Sequence, residues 1–268
     1  MIEPEQRRTV RRLGAALFFV IAVPLWPQTP AVDALLDGVA ARLRTTASYE
    51  NWMASAVQTI TETDRKGNPE KVTVVTKAVR VTDGRRRDET LKAVVTEDGE
   101  TKDITSTYDR ESRNRREEGE RRPAEEGGRR PSGRRRSRFD LEEILPFAPE
   151  RRSVFSFGLR EATGSGGKRL VLLDVKAKTK DDRNWDGTYT LDPSTFDIVR
   201  VELRPSKLPR LVKELSVEAE VEILDRKYFV LKRIFFKVNG GLLFLKRVRM
   251  TVEEVYTDVR VLDPGTAT

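Results

Sequence analysis

The sequence predicts a mainly β protein of the α+β class, built as an antiparallel meander of about ten strands with an N-terminal helix and one short helix between strands. Two observations predict this fold. From Trp52 onward, apolar residues alternate with polar ones in segments rich in Val, Thr and Ile, which is the period of a half-buried strand. Turn signals such as Asp83-Gly84, rather than helical segments, separate these stretches, so consecutive strands are expected to pair as hairpins.

The composition excludes several classes of function. The chain has 268 residues, enough for a sizeable core, and contains neither histidine nor cysteine. Ser-His-Asp and Cys-His catalysis, zinc sites made of these residues, haem ligation by histidine and disulfides are therefore excluded. The net charge of +8 is concentrated in residues 1–12 and 109–138, so it does not indicate a basic folded face that would bind nucleic acid.

Residues 1–31 have the layout of a secretory signal peptide. Arginines up to Arg12 precede an apolar run at 13–26, and Thr29 and Ala31 are the small residues expected before a cleavage site. The run is shorter than the roughly 20 residues that span a bilayer. We therefore expect export to the periplasm or cell envelope, with an inner-membrane anchor as the alternative if the segment is not cleaved.

Residues 32–108 are expected to form a helix followed by the first strands. Apolar side chains recur at helical spacing from Val32 to Leu43, which predicts one amphipathic helix. The period then changes to two. Strands are predicted at 52–62, 72–82 and 89–96, with a further short strand at 104–108.

Residues 109–138 interrupt this pattern with twelve arginines against seven acids and no aliphatic side chain larger than Ala124. Such a segment cannot bury enough apolar surface to offset its ordering entropy, so we predict a disordered insert. Acids alternate with the arginines and no aromatic residue interrupts them, which argues against specific nucleic-acid binding. Binding of a polyanion through these arginines remains an alternative.

Residues 139–268 are expected to add a short helix and the remaining strands of the same sheet. Asp140 can cap a helix over Leu141 and Leu145, and Pro146 ends it. Turns are predicted at 164–167 and 239–241. Strands are predicted at 153–161, 169–178, 187–192, 196–204, 215–224, 228–238 and 242–261.

One segment resembles part of a calcium-binding loop. Asp182, Asn184, Asp186 and Gly187 match its first half, but Pro193 stands where the bidentate glutamate belongs. We interpret the segment as a polar turn and expect neither a metal nor a cofactor.

The passage 187–202 carries a family resemblance. A strand that begins at Gly187 and ends in Asp192-Pro193 is followed by a turn and an apolar strand centred on Arg200. This passage, and the order of elements in 32–108 and 139–261, resemble the LolA/LolB-like superfamily of outer-membrane lipoprotein-sorting carriers. The resemblance implies an open β half-barrel with a helical lid over an apolar cavity that holds acyl chains.

By this resemblance we expect a non-enzymatic envelope protein that binds lipid acyl chains or a lipoprotein, acts as a monomer and binds no specific nucleic acid. Contact with a membrane surface remains open. The alternatives are a sensor or scaffold module at the inner membrane and a polyanion binder acting through the arginine-rich insert. An ordinary packed core would show the same apolar pattern. The residues expected to line the cavity are Val217, Ala219, Val221, Ile223, Phe235, Phe244, Val248, Met250 and Val252.

Overall fold

The computed structural model describes residues 31–45, 47–48, 51–82, 85–121, 145–225, 228–242 and 246–262. Within this part of the chain, the helices are α1 (Val32–Thr45), α2 (Thr105–Arg121) and α3 (Pro149–Arg152). The strands are β1 (Ala47–Ser48), β2 (Trp52–Thr63), β3 (Pro69–Thr82), β4 (Arg85–Glu97), β5 (Glu100–Asp103), β6 (Phe155–Thr163), β7 (Arg169–Ala177), β8 (Trp185–Leu191), β9 (Ile198–Pro205), β10 (Val212–Leu224), β11 (Tyr228–Leu242) and β12 (Lys246–Val261).

The strands form one sheet in the order β5-β4-β3-β2-β12-β11-β10-β9-β8-β7-β6, and all of these neighbours are antiparallel. The short β1 pairs in parallel with β11. Strands β5 and β6 form the two edges, and no pairing among the described residues closes the sheet into a barrel. The predicted open antiparallel sheet is thus confirmed. Its meander has one departure, because the last strand pairs with β2.

Both longer helices lie on the same face of the sheet, which we call the inner face. Residues that pair across antiparallel strands share a face. Helix α1 packs on Leu173 and Tyr189, and the hydroxyl of Tyr108 in α2 donates to Gln58 Oε1 at 3.2 Å. The register connects Tyr189 to Gln58 through one continuous row across the sheet.

Helix α1 confirms the amphipathic helix predicted from its periodicity. Leu35, Leu36 and Val39 are at most 1% exposed and form the core with strands β6 to β9. Arg42 Nε donates to Asp197 Oδ1 at 2.6 Å and attaches the last turn of the helix to the β8–β9 connection. The helix therefore covers one half of the inner face.

Helix α2 corrects two predictions. Residues 105–108 belong to a helix and not to a strand, and residues 109–121 are helical where disorder was predicted. Residues 122–138 of the predicted insert lie outside the described residues. The segment lacks core residues but is rich in Arg and Glu, which are good helix formers, and Asp109 accepts from Arg113 one turn later at 2.5 Å. Tyr108 then attaches the first turn to the sheet.

Two smaller predictions also need comment. The turn predicted at 239–241 is wrong, because Asn239 pairs with Arg249 inside the long hairpin of β11 and β12. Most of the short helix predicted after Asp140 lies outside the described residues, whereas Phe147 at its end is a core residue that is 1% exposed. No helix in the described ranges combines the length and hydropathy needed to cross a membrane.

Candidate functional site

An apolar strip occupies the centre of the inner face, between the halves on which α1 and α2 lie. Strands β10, β11 and β12 are the longest neighbouring strands there, and in their central parts each places apolar residues on the inner face at alternate positions. The apolar strip consists of Ile60, Leu215, Val217, Ala219, Ile234, Phe236, Val238, Met250 and Val252.

The register aligns these side chains into one apolar row across four strands, with shorter apolar rows on either side of it that end at Glu62 and Glu254. Phe236 pairs with Val217 on one side and with Val252 on the other, and Val252 pairs with Ile60. At the usual spacing of about 4.8 Å between strands, such a row is about 14 Å wide. The strip is therefore a continuous apolar surface and not a set of separate contacts.

The strip differs from the part of the inner face under α1 because none of its side chains is completely buried. Under α1, Leu173 and Leu191 are completely buried, and Tyr189 is 2% exposed. The side chains of the strip are all only half-buried, including the large ring of Phe236. Neither of the two longer helices in the described part of the chain covers it to the degree that α1 covers its own half, so an apolar ligand has surface to contact.

The structure brings together most of the residues predicted to line a cavity. Val217, Ala219, Met250 and Val252 belong to the apolar strip. Val221 and Ile223 continue the same face of β10, but Val221 is buried, with 9% exposure. The register pairs Val248 with Gly240, and Phe244 lies outside the described residues.

Phe235 is the one predicted residue that the register places elsewhere. It pairs with Glu218 and Glu253 and therefore lies on the outer face, where Arg233 stacks over its ring at 5.7 Å. The neighbouring Phe236 takes the inner position. A side-chain period of two puts adjacent residues on opposite faces, so only one of the two phenylalanines can join the strip.

Sequence reasoning missed the β11 contribution of Ile234, Phe236 and Val238, although a signal was present. Arg233 and Lys237 flank Phe235 at the same parity, which marks the odd positions of this strand as the wet face. The even positions from 234 to 238 are all apolar. The same alternation that identified β10 would have found them.

The outer face of β9 to β12 is ionic. Arg200 contacts Glu218 at 2.8 Å and Glu202 at 3.0 Å, while Arg233 contacts Glu253 at 2.5 Å and Glu220 at 3.3 Å. All but the Arg200–Glu202 pair, which lies within β9, cross from strand to strand on the surface opposite the strip. The two faces of this part of the sheet therefore have opposite polarity, which is the pattern of a sheet with one wet side.

A second, polar feature lies beside the strip, where a cavity of about 1000 Å³ is lined by α2 and by β2, β3, β4 and β12. Its lining includes Lys77, whose side chain is 8% exposed and whose Nζ lies 3.2 Å from Glu254 Oε1 and 3.7 Å from Asp88 Oδ2. Arg86 contacts the same two carboxylates, at 2.6 Å from Glu254 and 2.7 Å from Asp88. We call these four side chains the buried charge cluster; its formal charges balance.

Tyr256 completes the buried charge cluster by accepting a hydrogen bond of 2.8 Å from Arg86 Nη1. Burial, more than any other cause, raises the pKa of Tyr256 to about 12. Burial opposes the charge of Arg86, but the hydrogen bond to Asp88 and the nearby negative groups outweigh it and raise the pKa of Arg86 further. Both groups therefore keep their ordinary protonation state at neutral pH.

The polar turn that resembled a calcium loop uses its carboxylates internally. Asp186 Oδ1 accepts from the N–H of Ala177 at 2.7 Å, and Asp181 accepts from the N–H of Arg183. Among the described residues, no group of three or more acidic side chains is arranged to hold a metal ion.

No protein-family model matches the sequence, and no curated protein does. The structure is similar to a putative outer membrane lipoprotein-sorting protein domain from Vibrio parahaemolyticus (TM-score 0.35, 11% identity, 85% of this chain and 92% of that one). It is similar to a LolA superfamily protein from Nitrosomonas europaea (TM-score 0.33, 9% identity, 87% and 94%). A third similar structure is the Pseudomonas aeruginosa MucA/MucB complex (TM-score 0.24, 11% identity, 86% and 99%).

The resemblance inferred from the passage 187–202 thus agrees with the similarity of the structure to the two lipoprotein-sorting and LolA superfamily structures. All three TM-scores are below 0.5, so the matches carry no argument about what the protein binds. The function has to be argued from the chain's own residues.

Proposed function

We propose that the protein is a non-enzymatic, carrier-like protein of the cell envelope that binds an acyl chain of a lipid or lipidated protein on the apolar strip. The observation that carries this proposal is the half-buried state of the strip between two halves of the inner face that helices cover. An acyl chain is the natural ligand for such a surface, because it is extended, apolar and free of groups that need hydrogen bonds.

The energetics support an acyl ligand. Each methylene transferred from water to an apolar surface contributes about 0.8 kcal/mol, so several methylenes are needed before binding offsets the lost freedom of the ligand. The row from Val217 through Phe236 to Ile60 is about 14 Å wide, which offers contact to many methylenes at once. Such binding needs no nucleophile and no metal, in keeping with the expected non-enzymatic role.

The envelope location rests on the sequence of residues 1–31, with its arginines and its apolar run at 13–26. These residues lie outside the described part of the chain. Export would place the apolar strip in a compartment where lipid must pass through water, and there a shielded acyl site is useful. Sequencing the N-terminus of the purified protein distinguishes a cleaved from a retained segment.

The proposal is tested with a fluorescent fatty acid and two variants of adjacent residues. Val252→Glu places a carboxylate in the apolar strip, whereas Thr251→Glu places the same side chain one residue away on the outer face. Both positions are half-buried, so both variants are expected to fold. We expect Val252→Glu to abolish binding of the probe and Thr251→Glu to leave it unchanged.

Two results would contradict the proposal. One is the absence of any saturable probe binding by the parent protein. The other is equal binding by Val252→Glu and Thr251→Glu when circular dichroism shows both to be folded. Native mass spectrometry of gently purified protein would then identify which lipid, if any, accompanies the chain.

A further inference from the structure

The outer face of β12, β2, β3 and β4 carries a row of arginines. The register aligns Arg260 with Met53, Met53 with Arg80, and Arg80 with Arg87, so the four side chains lie side by side across four strands. All four are exposed, and all four line the mouth of the cavity of about 1000 Å³ to which α2 contributes Asp109. None of the three guanidinium groups forms an ion pair with another described residue. We call Arg80, Arg87 and Arg260 the arginine row.

This arrangement is unfavourable in the isolated protein. Arg80 and Arg87 are directly opposite each other on neighbouring strands, and like charges in that position destabilise a sheet. Elsewhere on the outer face, Arg200 and Arg233 each contact two carboxylates. The arginines on β9 and β11 are thus neutralised by carboxylates of the protein, whereas Arg80 and Arg87 face each other. An anionic binding partner would neutralise Arg80 and Arg87.

Exposed apolar side chains adjoin the arginine row. Met53 lies within it, 43% exposed, and Val57 follows on the same face of β2 with the same exposure. Val57 pairs with Val255, which is 38% exposed, and Leu91 in the bulge of β4 is 55% exposed. Four of the seven large apolar residues that are exposed in the described chain thus belong to these four strands. Such a concentration is typical of an interaction surface.

We propose that this face docks on the surface of a membrane that contains anionic phospholipids. Guanidinium groups bind phosphate oxygens through paired hydrogen bonds, and apolar side chains beside them can enter the interface between head groups and acyl chains. Glu89 and Asp258 are exposed acids on the same strands and offset only part of the positive charge. A soluble phosphate compound would use the arginine row but not Met53 and Val57, which is why the membrane is favoured.

This inference does not rest on the proposed acyl site, because the arginine row lines the cavity beside α2, whose lining includes no residue of the apolar strip. The test is flotation of the full chain with vesicles of phosphatidylcholine alone or mixed with phosphatidylglycerol. Each basic residue near an anionic surface contributes about fivefold to binding. We therefore expect the triple variant Arg80→Gln, Arg87→Gln and Arg260→Gln to bind the mixed vesicles about a hundredfold more weakly, with the fatty-acid probe still bound.

A matched control removes the same charge elsewhere. Arg183, Arg204 and Arg210 are also exposed, and their triple change to Gln is expected to leave most vesicle binding intact. Replacing the arginine row with three lysines keeps the charge and is expected to keep binding, because a membrane surface attracts either cation. Met53→Ser and Val57→Ser together should reduce the binding that persists at high salt.

Four results would overturn the proposal. The first is no preference of the parent protein for phosphatidylglycerol. The second is an equal loss in the arginine-row variant and its control, which would reduce the effect to overall charge. The third is loss of vesicle binding in the lysine variant when the lysine and glutamine variants of the arginine row both melt like the parent. That result would assign the arginine row to a specific phosphate ligand. Unchanged vesicle binding in the arginine-row variant would instead favour an acidic protein as its partner.

Discussion

The buried charge cluster makes a sharp prediction about stability. Lys77 and Glu254 each have side chains that are only 8% exposed, and Nζ of Lys77 lies 3.2 Å from Glu254 Oε1. With Arg86 and Asp88 the cluster contains two positive and two negative charges. Lys77→Met therefore leaves one buried negative charge uncompensated. Removing one partner of a buried pair costs about 3–5 kcal/mol.

We expect about 3 kcal/mol for Lys77→Met, the lower end of that range, because Arg86 still contacts Glu254 and is 39% exposed, so water can reach it. For a chain of this size, such a loss corresponds to a fall in melting temperature of about 6–12 °C. The double variant Lys77→Met and Glu254→Leu restores neutrality and keeps the bidentate Arg86–Asp88 pair. We expect it to lie within about 1 kcal/mol of the parent.

The assay is urea unfolding of the parent, both single variants and the double variant, which together form a double-mutant cycle. Lys102→Met is the matched control, since Lys102 pairs with Glu100 at 2.9 Å but both side chains are at least 70% exposed. That control should be indistinguishable from the parent. The reasoning fails if Lys77→Met costs less than about 1 kcal/mol, or if the double variant loses as much as the two single variants added together.

Two further predictions concern the sheet and its turns. Burial would raise the pKa of Asp192, but hydrogen bonds from Lys168 and Ser194 outweigh it and lower this pKa to about 2. The ionised Asp192 therefore stabilises the fold above about pH 4, and this stabilisation is lost as the pH falls from about 4 to 2. Asp192→Asn should cost about 2 kcal/mol at pH 7. It should also remove the loss of stability between about pH 4 and 2 when unfolding is measured as a function of pH. Val221 is 9% exposed and Val217 is half-buried, so Val221→Glu should unfold the protein and Val217→Glu should not. Circular dichroism melting of the two valine variants decides this, and equal melting temperatures would refute the distinction between buried and open parts of β10.

The strands of this protein could be predicted because their signals are local. In β10, apolar residues such as Val217 and Ala219 alternate with Glu218 and Glu220, and the observed strand contains the whole predicted segment. Helix α1 was predictable for the same reason, since Leu36 and Val39 recur at helical spacing. Both patterns indicate which side of a strand or helix is exposed to water. Such a pattern can be recognised within a few consecutive residues.

Helix α2 could not be found by that reasoning. Its segment has no apolar face, so an argument from buried area predicts disorder. What supports the helix is its propensity, the Asp109–Arg113 pair and the contact of Tyr108 with Gln58, which is 50 residues away in sequence. The last of these contacts depends on how the sheet is assembled.

Phe235 shows the same limit within one strand. Two adjacent phenylalanines occupy opposite faces, and the choice between them follows from the pairing of Phe236 with Val217 and Val252. The candidate site in β11 therefore lost Phe235 and gained Ile234, Phe236 and Val238, although its strands were correctly identified. A change of one position in register reverses every side chain of a strand, so lining residues are less predictable than strands.

The sequence by itself determined that the chain is mainly β, that its strands are antiparallel and that one side of β10 is wet, because hydropathy alternation and turn residues are local properties. The tertiary structure decided which strands are neighbours. Pairing of β12 with β2 brings Val252 beside Ile60 to extend the apolar strip, Glu254 near Lys77 to balance a buried charge, and Arg260 into one row with Arg80. These residues are about 180 or more positions apart in the chain, and only long-range strand pairing brings them together.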